Sequence, residues 1–233
     1  MSYEAAAHEA QMKILRHLLL SENAGFAELQ KSTGLMSDHF NFHIKKLVDE
    51  GYVQKTDDAY SLTRVGKEYS NRMDTDEKVI EKQPKISVVL VIEHEDGRLL
   101  RQERLKQPFF GFWGFATGKV RWGETMLEAA ARELEEETGL TATLRGAGLF
   151  HKMDYDKESG DFLEDKYFLV IHGTNPKGEL AVDMEGHHNE WLTDEEILAK
   201  GKLFESIVEI SELTGKPEYF FHEQKYYYDN TEY

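Results

Sequence analysis

The 233-residue chain has no cysteine. Disulfides and thiolate metal sites are therefore excluded, and a reducing interior is an unopposed setting. No apolar run approaches the roughly 20 residues that a membrane helix needs. The opening MSYEAAAHEA has no basic stretch followed by an apolar one, so a cytoplasmic protein is the expectation. Positive charge is also scarce: 28 Lys and Arg stand against 44 Asp and Glu, a net charge of −16. Met1 to Thr75 holds 9 basic and 11 acidic residues, and the remainder holds 19 and 33. The acidity thus belongs to the second part of the chain. Such a surface argues against nonspecific polyanion binding, because neutralising phosphates takes Lys and Arg. It leaves open binding of a polyanion through metal ions.

The composition that remains is globular, 40% hydrophobic and 31% charged, enough for one large domain or two small ones. Ile14, Leu15, Leu18 and Leu19 recur at helical spacing. A short helix carrying Phe26 and Leu29 follows and is broken at Gly34, and Ser37 is placed to cap a third helix with Phe40, Ile44, Leu47 and Val48 on one face. GYVQKTDDAYSLT reads as two strands about a turn at Asp57 and Asp58, and a last helix starts near Arg64. Three helices and a β-ribbon in this order resemble the winged helix-turn-helix of prokaryotic regulators. That resemblance implies a third helix presenting His39, Asn41, Phe42, Lys45 and Lys46 to double-stranded DNA. A docking or dimerisation module is the other reading, because the cationic footprint is thin. The predicted winged-helix domain spans 1–75, a polar linker 76–85, the second domain 86–215, and an aromatic tail 216–233.

The second domain opens with the buried-strand run ISVVLVIE, then a turn and RLLRQERL. Strand-like TATLRGAGLF and DKYFLVIHG flank a turn at ESGD, and two helices close the domain within WLTDEEILAK and FESIVEISELTG. Between the strands lies one strong helix, TMLEAAARELEEET. Leu127, Ala130, Ala131 and Leu134 are its predicted apolar face, and Gly139 its stop. Glu133, Glu136 and Glu137 stand at i, i+3 and i+4 and share one face, while Glu135 points elsewhere. Three carboxylates on one face suit a hard cation such as Mg²⁺ or Mn²⁺. Alone, the cluster reads more often as a solvated acidic face.

The frame around it is more specific. Gly118, five residues, Glu124, seven residues, then Arg132-Glu133-Leu134-Glu135-Glu136-Glu137-Thr138-Gly139-Leu140 matches the Nudix box at every specified position. The chain is thereby similar to Nudix hydrolases, which implies an α/β fold, a Nudix α/β/α sandwich preceded by a small winged-helix α+β domain. It implies hydrolysis of a nucleoside diphosphate linked to another moiety, ADP-ribose, a nucleotide sugar or similar. Glu133, Glu136 and Glu137 match the family's metal ligands, with Mg²⁺ or Mn²⁺ as cofactor. Gly118 matches the loop glycine whose carbonyl approaches the metal, and Arg132 and Glu124 match residues that brace the loop and helix. The general base matches either Glu133 or a later-loop glutamate, here Glu185 or Glu190, with Glu190 preferred; His187 and His188 lie in the same loop. The Pro-Gly-Gly turn common before the box is replaced by Gly114-Phe115-Ala116-Thr117-Gly118.

For the substrate, Arg101 and Arg104 are candidates to meet phosphates, and Trp113 to stack on a base or sugar; Phe109, Phe110, Phe115 and Trp122 add to the aromatic cluster. The complete box favours catalysis over the alternative, a Nudix-related transcription regulator that senses a nucleotide metabolite with little turnover. A homodimer is expected, since paired DNA half-sites suit two-fold symmetry.

Overall fold

A computed structural model describes residues 9–72, 82–229, 231 and 233. The chain divides into two compact units, 1–82 and 83–233. The predicted linker falls largely on 73–81, outside the described residues.

In the first unit, α1 (Glu9–Leu19), β1 (Ala24–Gly25), α2 (Phe26–Thr33) and α3 (Ser37–Asp49) precede a ribbon of β2 (Val53–Thr56) and β3 (Ala59–Leu62), and α4 (Arg64–Ser70) follows. Ile14, Leu15, Leu18, Leu29, Phe40, Ile44 and Leu47 meet in one core with Val53 and Leu62. Gly34 ends α2 in the left-handed conformation, where a residue without Cβ meets no steric penalty. Ser37 does not cap α3: Met36 holds the cap position, and the Ser37 hydroxyl instead accepts a bond from Gln30 Nε2 at 3.1 Å. His39, Asn41, Phe42, Lys45 and Lys46 are all exposed on α3.

The second unit is mixed α/β. Its strands are β4 (Lys85–Ile92), β5 (Leu99–Arg104), β6 (Phe112–Gly114), β7 (Ala116–Lys119), β8 (Thr141–Asp156), β9 (Phe162–Lys177), β10 (Asp183–Met184), β11 (His187–Leu192), β12 (Lys202–Leu203) and β13 (Phe220–Tyr228); its helices are α5 (Met126–Thr138), α6 (Asp194–Leu198) and α7 (Ser206–Thr214). They form two five-stranded sheets, ordered β10-β11-β5-β6-β12 and β13-β8-β9-β4-β7. In the second sheet, period-2 alternation along β4 divides the core. Val88, Leu90 and Ile92 pack with Ala129, Ala130 and Leu134 of α5. Val89 and Val91 face the opposite way, toward Phe150, Val170 and Ile207 and Ile210 of α7. The sheet is thus covered by α5 on one face and α7 on the other.

The aromatic tail is part of this unit. β13 runs parallel to β8, from Phe220 opposite Gly148 to Tyr228 opposite Asp156. One clamp holds it from the side. The His151 ring lies between Glu223 Oε1 of β13, 2.7 Å from Nδ1, and Asp165 Oδ1 of β9, 2.8 Å from Nε2, and stacks on Tyr167 with centroids 4.0 Å apart. Burial pushes the imidazole pKa down, but the bonds to Glu223 and Asp165 outweigh it and the net shift is upward from 6.5. A histidine raised on folding adds stability that is complete below its unfolded pKa and disappears as pH rises through the folded one. We expect the melting temperature of the wild type to exceed that of His151→Gln at pH 5.5 and the gap to close above neutrality. A gap that does not shrink with rising pH contradicts the charged clamp.

Candidate active site

The box begins on β7 and ends on α5. Thr125 caps the helix reciprocally with Glu128: the Thr125 hydroxyl accepts the Glu128 amide, and the Glu128 carboxylate accepts the Thr125 amide at 2.8 Å. Gly139 closes it in the left-handed conformation, φ 72°. The helix is therefore fixed at both ends by local sequence.

Its buried face is rotated from the expected one. Ala129, Ala130, Glu133 and Leu134 are buried, whereas Leu127 and Ala131 are exposed. The rotation has a cause on β7: it turns Glu133 inward onto Gly118. A Cβ on Gly118 would stand 1.9 Å from Glu133 Cδ and 2.3 Å from its Oε2. Only glycine leaves room for this carboxylate beside the strand.

Arg132 is the hub. Its Nε donates to Glu124 Oε1 at 2.6 Å, and Nη2 to Glu124 Oε2 at 2.8 Å and to the Lys119 carbonyl at 3.0 Å. Its Nη1 donates to Glu133 Oε1 at 2.6 Å and Glu136 Oε2 at 3.1 Å. All five guanidinium protons are thus engaged by three glutamates and one carbonyl. The Arg121 amide also donates to Glu124 at 2.8 Å, and the Arg121 guanidinium reaches Glu136 at 3.2 Å. Hydrogen bonds from Arg132 and then from the Arg121 amide hold the Glu124 carboxyl down at about 2. Repulsion among the clustered glutamates is thereby partly offset by two arginines. Arg121, inside the five-residue spacer, carries no signal in the box pattern.

Glu137 turns to β11. His187 Nε2 and Asn189 Nδ2 both donate to the Glu137 backbone carbonyl, at 2.9 and 2.8 Å, so β11 caps the C-terminal end of α5. His187 Nδ1 lies 3.2 Å from Glu137 Oε2. Asn189 also had no signature in sequence; it acts by its position two residues from His187 on the same strand face. With the carboxylates turned to Arg132, Arg121 and His187, no group of three metal-binding side chains is gathered among the described residues. The donors still fit a hard divalent cation: three carboxylates within one helical turn and a backbone carbonyl on a strand without a side chain in the way.

Other expected residues are placed elsewhere. Glu190 alternates with His187 and Asn189 along β11 and binds Lys200 Nζ at 2.7 Å, so it faces away from α5. Its carboxylate is thus engaged by Lys200, on the strand face opposite to that of His187 and Asn189. Glu185 is exposed in the turn between β10 and β11, and His188 binds Asp183 at 2.6 Å. Trp113 is a core residue with Lys200 Nζ 4.2 Å over its ring. Arg101 is fully buried; it donates to Asp194 at 2.6 Å and Ser211 at 3.1 Å and stacks over Phe115 at 4.3 Å. Burial pushes its pKa to about 10. Arg101 thus ties β5 to α6 and α7. Arg104, in contrast, lines a cleft of about 110 Å³ between the sheets, with Thr117, Phe115, Phe168 and Phe204. Thr117 adjoins Gly118, and by alternation the two point to opposite faces of β7. The cleft and the carboxylate helix therefore lie on opposite faces of one strand.

Residues 83–212, more than half of the chain, match the model of the NUDIX domain. The chain belongs to the Nudix family. It is a Nudix-type hydrolase, and hydrolases of this family generally use divalent metals such as Mg²⁺ or Mn²⁺. The ADP-ribose pyrophosphatase of Methanocaldococcus jannaschii is 31% identical over 132 residues, which cover 54% of this chain and 77% of that protein. The low-salt glycan biosynthesis protein Agl8 of Haloferax volcanii is 30% identical over 115 residues, 49% of this chain and 72% of that one. In fold, the Nudix unit is similar to a MutT protein from Bacillus halodurans, with a TM-score of 0.51 at 20% identity over 63% of this chain and 92% of that one. Residues 1–73 match a domain of unknown function (DUF7347). No helix among the described residues is long and apolar enough to cross a membrane.

Proposed function

We propose that this Nudix hydrolase is a divalent-metal-dependent pyrophosphohydrolase of a nucleoside diphosphate linked to another moiety, ADP-ribose or a close chemical relative. The observation that carries the reading is the packing of Glu133 against Gly118 inside the Arg132 hub, which presents Glu136 and Glu137 one turn on. Glu133, Glu136, Glu137 and the Gly118 carbonyl are the groups that would hold Mg²⁺ or Mn²⁺. When bound, such a cation offsets diphosphate charge and lowers the pKa of water beside it. The chain's own part is positional. Arg132 fixes Glu133 through Oε1 while Oε2 lies beside Gly118, and Glu124 fixes Arg132. A carboxylate so held can take a proton from the attacking water, and Glu133 replaces Glu190 in that role. The cleft on the other face of β7, with Arg104 and its aromatic walls, seats the rest of the substrate. The sequence similarity to an ADP-ribose pyrophosphatase supports that substrate class.

We further propose that the first unit is a winged helix-turn-helix that binds double-stranded DNA as a dimer, with α3 as the reading helix. The support is the order of helices and ribbon together with the exposure of His39, Asn41, Lys45 and Lys46.

The test is a hydrolysis panel with Mg²⁺ or Mn²⁺: ADP-ribose, dinucleotides, nucleotide sugars and nucleoside triphosphates, with products separated by chromatography. Turnover of a diphosphate-linked compound into two monophosphates supports the reading. Binding without turnover of any member replaces it by a metabolite sensor.

A further inference from the structure

A second set of like charges is opposed on the sheet that carries β7. Lys152 of β8 pairs directly with Lys166 of β9, and the next rung on that face pairs Asp154 with Glu164. Like charges directly across a sheet destabilise the pair. Relief comes along the strands: Lys152 binds Asp154 and Lys166 binds Glu164, and Lys85 donates to Glu164 at 2.8 Å. The group is deep, with Lys152 3%, Asp154 0% and Glu164 7% exposed.

The compensation is incomplete. Lys152, Lys166, Arg104 and Glu164 all line the cleft between the sheets. Arg104 donates to the backbone carbonyls of Pro108 at 2.5 Å and Gln107 at 3.0 Å, and neither partner carries charge. Lys152, Lys166 and Arg104 thus stand against the two carboxylates Asp154 and Glu164. This excess sits in the part of the chain that holds 19 basic and 33 acidic residues. Partly buried charge calls for a counter-charge.

The C-terminal strand lies against Lys152. Tyr226 and Tyr228 of β13 stand with their rings 5.1 and 4.9 Å from Lys152 Nζ, and Phe204 at 5.6 Å. Aromatic faces favour the charged ammonium and supply no anion. β13 lies beyond residue 212, where the family match ends.

We propose that the Lys152–Lys166 rung, with Arg104 across the cleft, is an anion subsite that takes a phosphate carried by the ligand outside its diphosphate linkage. The inference rests on the cleft being the seat of the substrate's far moiety. The ligand class is then a nucleoside diphosphate derivative whose ribose carries a phosphate of its own.

Calorimetric titration of the full chain, in a Glu136→Gln background that slows turnover, compares ADP-ribose with its 2′-phosphorylated counterpart and with inorganic phosphate. The extra phosphate is expected to tighten binding about tenfold or more, as charge-assisted hydrogen bonds do. That preference is expected to fall to about twofold or less in Lys166→Gln and Lys152→Met. Melting curves of both variants confirm that each is folded. Equal affinity for the two ligands overturns the subsite while leaving the hydrolysis reading intact, and so does a preference unchanged in both variants. Tighter binding of the phosphorylated ligand without turnover in the wild type supports the subsite and overturns the hydrolysis reading. If inorganic phosphate binds as tightly as the phosphorylated ligand, the site is for the free ion and the proposal is overturned. Binding of none of the three, by the variant and by the wild type alike, overturns both.

Discussion

Replacing Glu136 by Gln is expected to lower kcat by about 10³-fold, roughly 4 kcal/mol of barrier at 1.36 kcal/mol per decade, with little change in melting temperature. The amide keeps the size of the side chain and loses the charge. Glu136 is half exposed and is shared by Arg132 and Arg121, so the folded chain tolerates its neutralisation. A divalent cation held by the cluster would not. Kinetics at saturating Mg²⁺, with circular dichroism melts alongside, separate the two effects. A variant retaining more than about a tenth of the activity, against the 10²–10³-fold typical of losing a key electrostatic group, would mean that this carboxylate lies outside the chemistry.

The second large effect is expected from one methyl group. Gly118→Ala places a Cβ 1.9 Å from Glu133 Cδ, so the carboxylate must leave its place beside the strand. The atoms in the way belong to a flexible side chain, and the backbone need not move. The stability cost is therefore small, while Glu133 loses its position and Arg132 loses one of its partners. We expect kcat to fall by about 10²-fold, in line with the cost of misplacing a catalytic group by about 1 Å. Unchanged activity in Gly118→Ala would show that Glu133 works from any rotamer. A collapse in melting temperature would show instead that the glycine serves the fold.

The helix α5 was legible because its information is local. The 23-residue box, the Thr125 cap and Gly139 lie within one stretch, and spacing alone put Glu133, Glu136 and Glu137 on one face. What spacing could not show was how far the face is rotated. That depends on Gly118, a strand residue whose missing side chain turns Glu133 inward and exposes Leu127 and Ala131. Where the side chains of Arg101 and Glu190 turn was hidden for a related reason. Each is a charged residue on a strand, and the face it presents is set by register: Arg101 pairs with Glu190 across β5 and β11, yet their side chains go to Asp194 and Lys200. The Lys152–Lys166 rung has no local signature at all, because its two members are brought together only by the pairing of β8 with β9. The aromatic tail gave composition without direction; Tyr226 and Tyr228 acquire meaning from the parallel pairing of β13 with β8. In the first unit, the helices and ribbon were readable from periodicity and turn residues. Ser37 was misplaced by one position, since the backbone turns at Met36 and the hydroxyl serves Gln30 instead.

The central claim is that the acidic face of α5 is a cation site and not a solvated patch. It is tested most directly by titrating Mn²⁺ into the full chain and following the free ion by electron paramagnetic resonance, for the wild type and for Glu137→Gln side by side. The account predicts saturable binding in the wild type that weakens by about tenfold or more when one ligand is neutralised. Identical weak titrations for both proteins would contradict it and return the three glutamates to the role of an ordinary charged surface.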